Sequence, residues 1–344
     1  FGIPGYQLMT RAGHATLDAL RALWPAAKSM AVLCGPGNNG GDGYVVARVA
    51  PAQGLRTEVY VLGDPLQLHG DARRAHADFV AAGGHCRPWR GEAFAVDLIV
   101  DALFGTGLTR EVSGEAAGML HAANAAARPI VAVDIPSGLH ADSGAVLGVA
   151  ARAVLTVTFI GRKVGCYLGE GPEHVGRLVH DDLDVPPETF AVATAFAQLL
   201  GEADVAAALP RRGRASHKGS HGHVLVIGGG PGMPGAARLA GEAALRAGAG
   251  LVTVAVHPDN IGIVAARPEL MCTAARSARD LTAVLARATV VAIGPGLGQD
   301  VWGRGQLEAA LGSGRPLVVD ADALNLIAER PRQTVGPCMV ATQP

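Results

Sequence analysis

The sequence predicts an α/β fold in two domains, each with helices on both faces of a parallel sheet. Short apolar runs, typical of strands buried on both faces, alternate with segments whose apolar residues recur at helical spacing. Glycine-bearing polar stretches follow several of these strands, and the pattern restarts after an alanine-rich segment around Pro210. At 344 residues the chain has a usual length for two domains. We place these at 1–200 and 201–344.

The first half opens with a helix over 5–23, because apolar residues recur there at helical spacing as far as Trp24 and Pro25. A polar helix over 70–82 follows the second strand. The predicted strands are 30–33, 56–62, 97–103, 129–133, 153–159 and 177–180. This alternation specifies a doubly wound parallel sheet.

The second half repeats the pattern. A strand over 223–227 leads into a glycine-rich loop, and an alanine-rich helix over 236–247 follows. Further strands, each predicted to run into a loop, are 251–256, 289–293 and 316–319, the last with its loop over 320–325.

Composition excludes several classes of function. A net charge of −1 leaves no basic excess for a nucleic acid, and the basic segment 211–214 is interpreted as a solvated linker. No window has the roughly 18 uninterrupted apolar residues of a membrane span, so we expect no membrane partner. Five cysteines, never in a CxxC pair, indicate neither disulfides nor zinc and favour a reducing cytoplasm. Both ends are expected to be cuts through a longer protein.

The most informative stretch is 34–43, which has five glycines in ten residues between a strand and a helix predicted over 44–49. Glycines allow the backbone to approach a ligand closely, and the first amides of the helix suit a phosphate or another anion. Asn38, Asn39 and Asp42 add more polar groups than a structural turn needs. The alternative is a tight turn closed by Asx hydrogen bonds.

Two other polar stretches, 101–108 and 134–138, also follow predicted strands. In doubly wound sheets ligands bind at the carboxyl ends of the strands. We therefore expect these two stretches and residues 38–42 to meet around one pocket.

At these residues the sequence resembles the bifunctional NAD(P)H-hydrate repair enzymes. Residues 35–43, 100–107 and 133–138 resemble, in order and spacing, the signatures of the NAD(P)H-hydrate epimerase domain. The resemblance covers about residues 1–185 and implies a Rossmann-like three-layer αβα domain. Residues 8–13 and the segment from Thr156 to Lys163 add to it.

The second half resembles the ADP-dependent NAD(P)H-hydrate dehydratase domain, which is ribokinase-like. The matching segments are 217–219, 232–237, 294–298 and 320–325. The Thr-Pro-His-Pro-Gly-Glu stretch, the Lys-Gly loop and the glycine-rich loop with the catalytic aspartate that follow in that family are not in this sequence. We therefore expect this domain to be incomplete, without its nucleotide-binding loops, and the resemblance does not extend to dehydratase activity of this chain.

The resemblance implies a substrate, hydrated NADH or NADPH in its R and S forms, and assigns an acid/base role to Asp134 with Lys163 as helper. A loop-closing role is the alternative for Asp134. It also implies a set of substrate-binding residues: Asn38, Asn39, Gly40, Gly41, Asp42, Gly105, Thr106, Gly107, Leu108, Thr109, Arg110, Glu111 and Asp134, with Ala236 and Gly296 in the second domain. Packing of helix against strand is the alternative for Ala236 and Gly296.

Asn39, Asp101 and Ser137 supply an amide oxygen, a carboxylate and a hydroxyl. Such hard donors select alkali or alkaline-earth cations, and the resemblance points to K⁺. The alternative is that Asp101 is hydrogen-bonded only to neighbouring loop amides.

The resulting expectation is a nicotinamide-dinucleotide repair enzyme that epimerises the hydrate, with ADP as the nucleotide of the dehydratase half and a homo-oligomeric assembly. A nicotinamide-dependent oxidoreductase is one alternative, although Leu62–Gly63 stands where a ribose-binding acid is expected and Asp64 comes two residues late. A non-catalytic dinucleotide-binding module is the other.

Overall fold

A computed structural model describes residues 2–192, 194–209 and 211–329, together with the backbone of Met339–Thr342. Contacts between residues divide the chain into two compact units, Phe1–Leu200 and Gly201–Pro344, here called the first and second units. Each is an α/β unit with a parallel sheet, which confirms the predicted fold class. No helix among the described residues has both the length and the apolar character required to cross a membrane.

The first unit is organised around seven parallel strands in the order β3-β2-β1-β4-β5-β6-β7. They are β1 Ser29–Cys34, β2 Arg56–Val61, β3 Cys86–Pro88, β4 Leu98–Ala102, β5 Ile130–Val133, β6 Leu155–Phe159 and β7 Arg177–Asp181. The four strands β1, β4, β5 and β6 are buried along their whole length, because helices cover both faces of the sheet.

Its helices divide between the two faces of the sheet. They are α1 Gly5–Leu23, α2 Asn38–Val49, α3 Gly70–Ala81, α4 Gly114–Ala125 and the short α5 Gly171–Val175. The first three pack on the face that receives Met30 and Val32 of β1, whereas α4 packs on the face that receives Ala31 and Leu33. This alternation along one strand gives the unit two hydrophobic layers.

The second unit has a six-stranded parallel sheet in the order β10-β9-β8-β11-β12-β13. Its strands are β8 His223–Ile227, β9 Leu251–Val256, β10 Met271–Ala274, β11 Val290–Ile293, β12 Leu317–Asp320 and β13 Met339–Thr342. Its helices are α6 Glu202–Ala208, α7 Pro234–Ala247, α8 Ile261–Ala265, α9 Thr282–Arg287, α10 Val301–Leu311 and α11 Ala321–Ala328. α7 and α8 contribute to one hydrophobic layer, and α9, α10 and α11 to the other.

The structure corrects the predicted start of two helices. α2 begins at Asn38 rather than at residue 44, and α11 begins at Ala321, inside a segment predicted as a loop. Glycine disfavours helix, yet a Cβ on Gly40 would lie 2.0 Å from the Gly35 carbonyl oxygen, and one on Gly43 would lie 2.7 Å from the Ala102 Cβ. The glycines of α2 are therefore explained by close packing within a helix rather than by a flexible loop.

We predict that Gly35→Ala destabilises the protein by about 3 kcal/mol in chemical denaturation. A Cβ at this position would lie 1.7 Å from the Leu103 carbonyl oxygen, so the ends of β1 and β4 would have to separate. Gly37→Ala is the matched control, because its Cβ would meet no atom within 4 Å. Equal midpoints for the two variants would contradict this close approach.

Candidate active site

A cavity of about 500 Å³ lies at the carboxyl ends of β1, β4 and β5. β1 and β4 are neighbours in the sheet, but the chain continues from β1 to β2 on one side and from β4 to β5 on the other. In doubly wound sheets a crevice forms at such a switch point. The cavity is lined by Pro36, Gly37, Asn38, Asn39, Asp42, Leu103, Phe104, Gly105, Thr106, Gly107, Leu108, Thr109, Arg110 and Asp134. The three polar stretches of the sequence therefore meet around one pocket.

Most of the predicted substrate-binding residues of the first unit line this cavity, but three do not. Gly40 and Gly41 are buried within α2, and a Cβ on Gly41 would lie 2.5 Å from the Met9 methyl carbon. Glu111 lines a neighbouring cavity of about 490 Å³, which shares Pro36, Phe104, Leu108 and Arg110 with the first. Lining residues that sequence reasoning missed are Pro36, Gly37, Leu103 and Phe104, all next to the motif residues.

The two predicted substrate-binding residues of the second unit lie close to each other. A Cβ on Gly296, which has φ +59°, would be 3.5 Å from the Ala236 Cβ. The Gly296 carbonyl oxygen accepts a 2.7 Å hydrogen bond from the Gly230 amide, so the loops after β8 and β11 are joined at this point.

Asp101, at the end of β4, is fully buried and bound to the loop that follows β5. Its Oδ1 accepts hydrogen bonds from the Ser137 hydroxyl at 2.6 Å and from the Leu103 amide at 3.3 Å. Its Oδ2 accepts one from the Ser137 amide at 2.8 Å. The Ser137 hydroxyl oxygen in turn accepts from the Phe104 amide at 2.8 Å. The loops after β4 and β5 are thus fixed together through one carboxylate.

Ionisation of the Asp101 carboxyl is costly in its buried position. Burial raises its pKa, and the hydrogen bonds from Ser137 and Leu103 lower it, but no cationic side chain of the described residues acts on it. The hydrogen-bonded alternative therefore accounts for the contacts of Asp101 but supplies no cationic side chain of the described residues to offset a negative charge.

Asn39 gives a test of whether a cation would fit here. It is 8% exposed, and neither of its buried amide atoms has a hydrogen-bond partner among the residues that the structure describes. A Cβ on Gly105 would lie 3.6 Å from the Asn39 Oδ1. Gly105 directly follows Phe104, whose amide donates to the Ser137 hydroxyl oxygen. An orphaned amide oxygen, a hydroxyl and a carboxylate are donor types that fit an alkali cation.

Asp134 follows β5 in a left-handed conformation, with φ +68°. Its Oδ1 accepts hydrogen bonds from the Lys163 ammonium, the Phe159 amide at 3.2 Å and the Thr158 hydroxyl at 3.4 Å. Lys163 also donates to the Phe159 carbonyl oxygen at 2.9 Å. The side chains of this ion pair are 14% and 17% exposed, for Lys163 and Asp134 respectively. Such backbone conformations cost about 1–3 kcal/mol and cluster at functional sites.

Asp42 is a second carboxylate in the same cavity. Burial raises its pKa well above the ordinary range, the charge of Asp134 raises it further, and Lys163 lowers it. The cavity therefore holds two carboxylates in different environments.

Two family models match the chain. One, described as YjeF-related protein N-terminus, matches residues 5–165, and the other, described as NAD(P)H-hydrate dehydratase, matches residues 224–339. The bifunctional NAD(P)H-hydrate repair enzyme of Coxiella burnetii is 47% identical over 334 residues, which cover 96% of this chain and 68% of that protein. The chain belongs to the bifunctional NAD(P)H-hydrate repair enzymes.

Another repair enzyme, that of Escherichia coli, is 43% identical and is matched over 96% of this chain. The chain spans 64–68% of the length of these two relatives. A solved ADP/ATP-dependent NAD(P)H-hydrate dehydratase from Bacillus subtilis is 29% identical over 42% of this chain and 50% of that one, with a TM-score of 0.34. The comparisons do not support the expectation that set dehydratase activity aside, because the dehydratase model matches the second unit.

We expect Ser137→Ala to lower the free energy of unfolding by about 2–3 kcal/mol, because it removes a hydrogen bond to a buried carboxylate. Urea denaturation measures this change. Ser143→Ala is the matched control, since that hydroxyl lies in an exposed contact 3.0 Å from the His140 Nδ1. A loss for Ser137→Ala no larger than for Ser143→Ala would contradict the role given to Asp101.

Proposed function

We propose that the first unit interconverts the R and S forms of hydrated NADH and NADPH in the cavity at the ends of β1, β4 and β5. The observation that carries the proposal is Asp134, held by Lys163 in a strained conformation on the wall of that cavity. Membership of the repair-enzyme family supports the choice of substrate.

The reaction follows from the chemistry of the hydrate. The lone pair of the ring nitrogen expels hydroxide from C6, which leaves a planar iminium, and water then attacks either face. The step needs an acid to protonate the leaving oxygen and a base to take a proton from the incoming water. Asp134 is the proposed acid/base group. Lys163 donates hydrogen bonds to the Asp134 carboxylate and to the Phe159 carbonyl oxygen, which together fix the orientation of the carboxylate.

The dinucleotide would be held mainly by backbone. Gly37 is the N-cap of α2 and provides no side-chain cap, so the first amides of this helix are available to an anion at the cavity wall. The Gly105–Arg110 segment forms the opposite wall, and Arg110 adds a positive charge suited to a diphosphate.

Asn39, Asp101 and Ser137 are the residues that would hold K⁺. When bound, the cation would offset the charge of Asp101 and attract phosphate oxygens of the ligand. The donor types and the unpartnered Asn39 amide support this part of the proposal.

For the second unit we propose ADP-dependent dehydration of the S form back to NADH or NADPH, with Ala236 and Gly296 facing the nicotinamide. The family model over residues 224–339 supports this assignment. A cytoplasmic location and a homo-oligomeric assembly remain predictions.

The oxidoreductase alternative is less well supported. β2 ends at Val61, and Asp64 accepts a 2.9 Å hydrogen bond from the Leu66 amide, so its Oδ1 closes a turn. A non-catalytic binding module would use the same cavity but would not require an acid/base group, so substitution of Asp134 discriminates it from an enzyme.

We predict that Asp134→Asn lowers the rate of R-to-S conversion, followed by chromatography of the pure R hydrate, by about 10²–10⁴-fold. Asparagine tolerates the left-handed backbone, so the loss reports on the carboxylate. Asp142→Asn, at an exposed position, is the control. A wild-type rate in Asp134→Asn would overturn the assignment, and ligand binding without turnover in the unsubstituted protein would favour the binding module.

We predict that saturating K⁺ raises the unfolding temperature by about 5 °C relative to the same ionic strength of choline chloride. Asn39→Ala should lose this shift, because it removes the unpartnered amide oxygen. Asn38→Ala, an exposed neighbour at the same cavity, should keep it. An undiminished shift in Asn39→Ala would remove that residue from the cation site.

A further inference from the structure

Asp42 lies on the face of α2 that borders the cavity. Asn38 and Asn39, four and three residues earlier, share this face and also line the cavity, whereas Gly40, Gly41 and Gly43 are buried beneath. α2 packs against β1, β4 and β5, and Asp134 follows β5 directly. Two carboxylates carried by different elements therefore face one space.

The two carboxylates have different partners. Asp134 accepts hydrogen bonds from the Lys163 ammonium, the Phe159 amide and the Thr158 hydroxyl. No hydrogen bond or ion pair of the described residues engages the Asp42 carboxylate, which is coupled only through space to Asp134 and Lys163. One carboxylate is thus held by three donors, and the other is left open to the cavity.

We propose that Asp42 is a catalytic acid that works opposite Asp134, so that each carboxyl serves one face of the nicotinamide ring. This inference rests on the proposed epimerase function. Inversion at C6 requires oxygen to leave from one face and to arrive at the other. A single acid/base group would have to reach both faces of the nicotinamide ring. With Asp42 on α2 and Asp134 after β5, each carboxyl needs to reach only one face.

The proton balance closes within the pair. In one direction the C6–O bond breaks as the nitrogen lone pair forms the C6=N bond, and the Asp42 carboxyl gives its proton to the leaving oxygen, which departs as water. A second water then forms the new C6–O bond and gives a proton to the Asp134 carboxylate. The reverse reaction uses the opposite protonation states, and a proton passed back from Asp134 to Asp42 restores the starting form.

The surroundings of Asp42 are consistent with a proton donor. Burial and the Asp134 charge both raise its pKa, in opposition to Lys163. On the neighbouring helices, Arg11 of α1 donates to the Leu183 and Asp184 carbonyl oxygens, and Asp78 of α3 accepts from the Tyr6 hydroxyl. Pairs of carboxyls whose environments differ in this way divide acid and base roles.

The test is the Asp42→Asn variant of the full chain, assayed with pure R and pure S hydrate. We expect kcat to fall by about 10²–10⁴-fold in both directions, with KM changed less than threefold. The kcat/KM profile of the unsubstituted enzyme should be bell-shaped, because one carboxyl of the pair must be protonated and the other ionised. The Asn variant should lose the limb at high pH. Asp18→Asn, an exposed aspartate on α1, is the control.

A raised KM with kcat and the pH profile unchanged would overturn the proposal and leave Asp42 as a binding residue. If the unsubstituted protein interconverts the epimers and Asp42→Asn does so equally well, only this inference fails. If the unsubstituted protein does not interconvert them, the proposed function fails and this inference with it. Should Asp42→Asn unfold at a lower temperature than Asp18→Asn, Asp42→Glu decides, since it keeps a titratable carboxyl and should keep the limb at high pH, and loss of that limb in Asp42→Glu would overturn the proposal.

Discussion

The hydrogen bonds between Asp101 and Ser137 are the interaction on which the geometry of the cavity depends. They connect the end of β4 to the loop after β5, and the Ser137 hydroxyl oxygen also accepts from the Phe104 amide, which fixes the loop after β4. Because β4 lies between β1 and β5, this contact sets the spacing of the three loops around the cavity. Its cost is a buried carboxylate without a cationic partner among the described residues.

The free-energy cost of burying the Asp101 carboxylate is expected in a site that receives a charged ligand. Asn39 adds a buried amide without partners, and Asp134 adds a strained backbone. Groups that lower stability without an internal compensation are expected where binding or catalysis requires them. Asn39 and Asp134 line one cavity, and Asp101 is hydrogen-bonded to the Leu103 amide and to Ser137, which binds the Phe104 amide, so the site, rather than the fold, accounts for all three.

Much of this could be predicted from the sequence, because buried parallel strands are continuous apolar runs and ligands collect at their ends. The start of α2 could not be predicted, because glycine disfavours helix. The glycines of α2 are required by close contacts with Gly35, Met9 and Ala102, which only the folded structure shows. β3 and β10 lie at sheet edges and are only three or four residues long, so they carry no apolar run. Asn39 and Asp42 have no side-chain hydrogen-bond partners within the described part of the chain, which is likewise a property of tertiary packing that no local pattern contains.

The central claim is that the cavity of the first unit epimerises the hydrate by losing one water and adding another. The most direct measurement is conversion of pure R hydrate in H₂¹⁸O, with the S product analysed by mass spectrometry and the uncatalysed reaction subtracted. The account predicts that the S hydrate formed by the enzyme carries an oxygen from solvent at C6. An S product that keeps the original oxygen, or no enzyme-dependent S product at all, would contradict it.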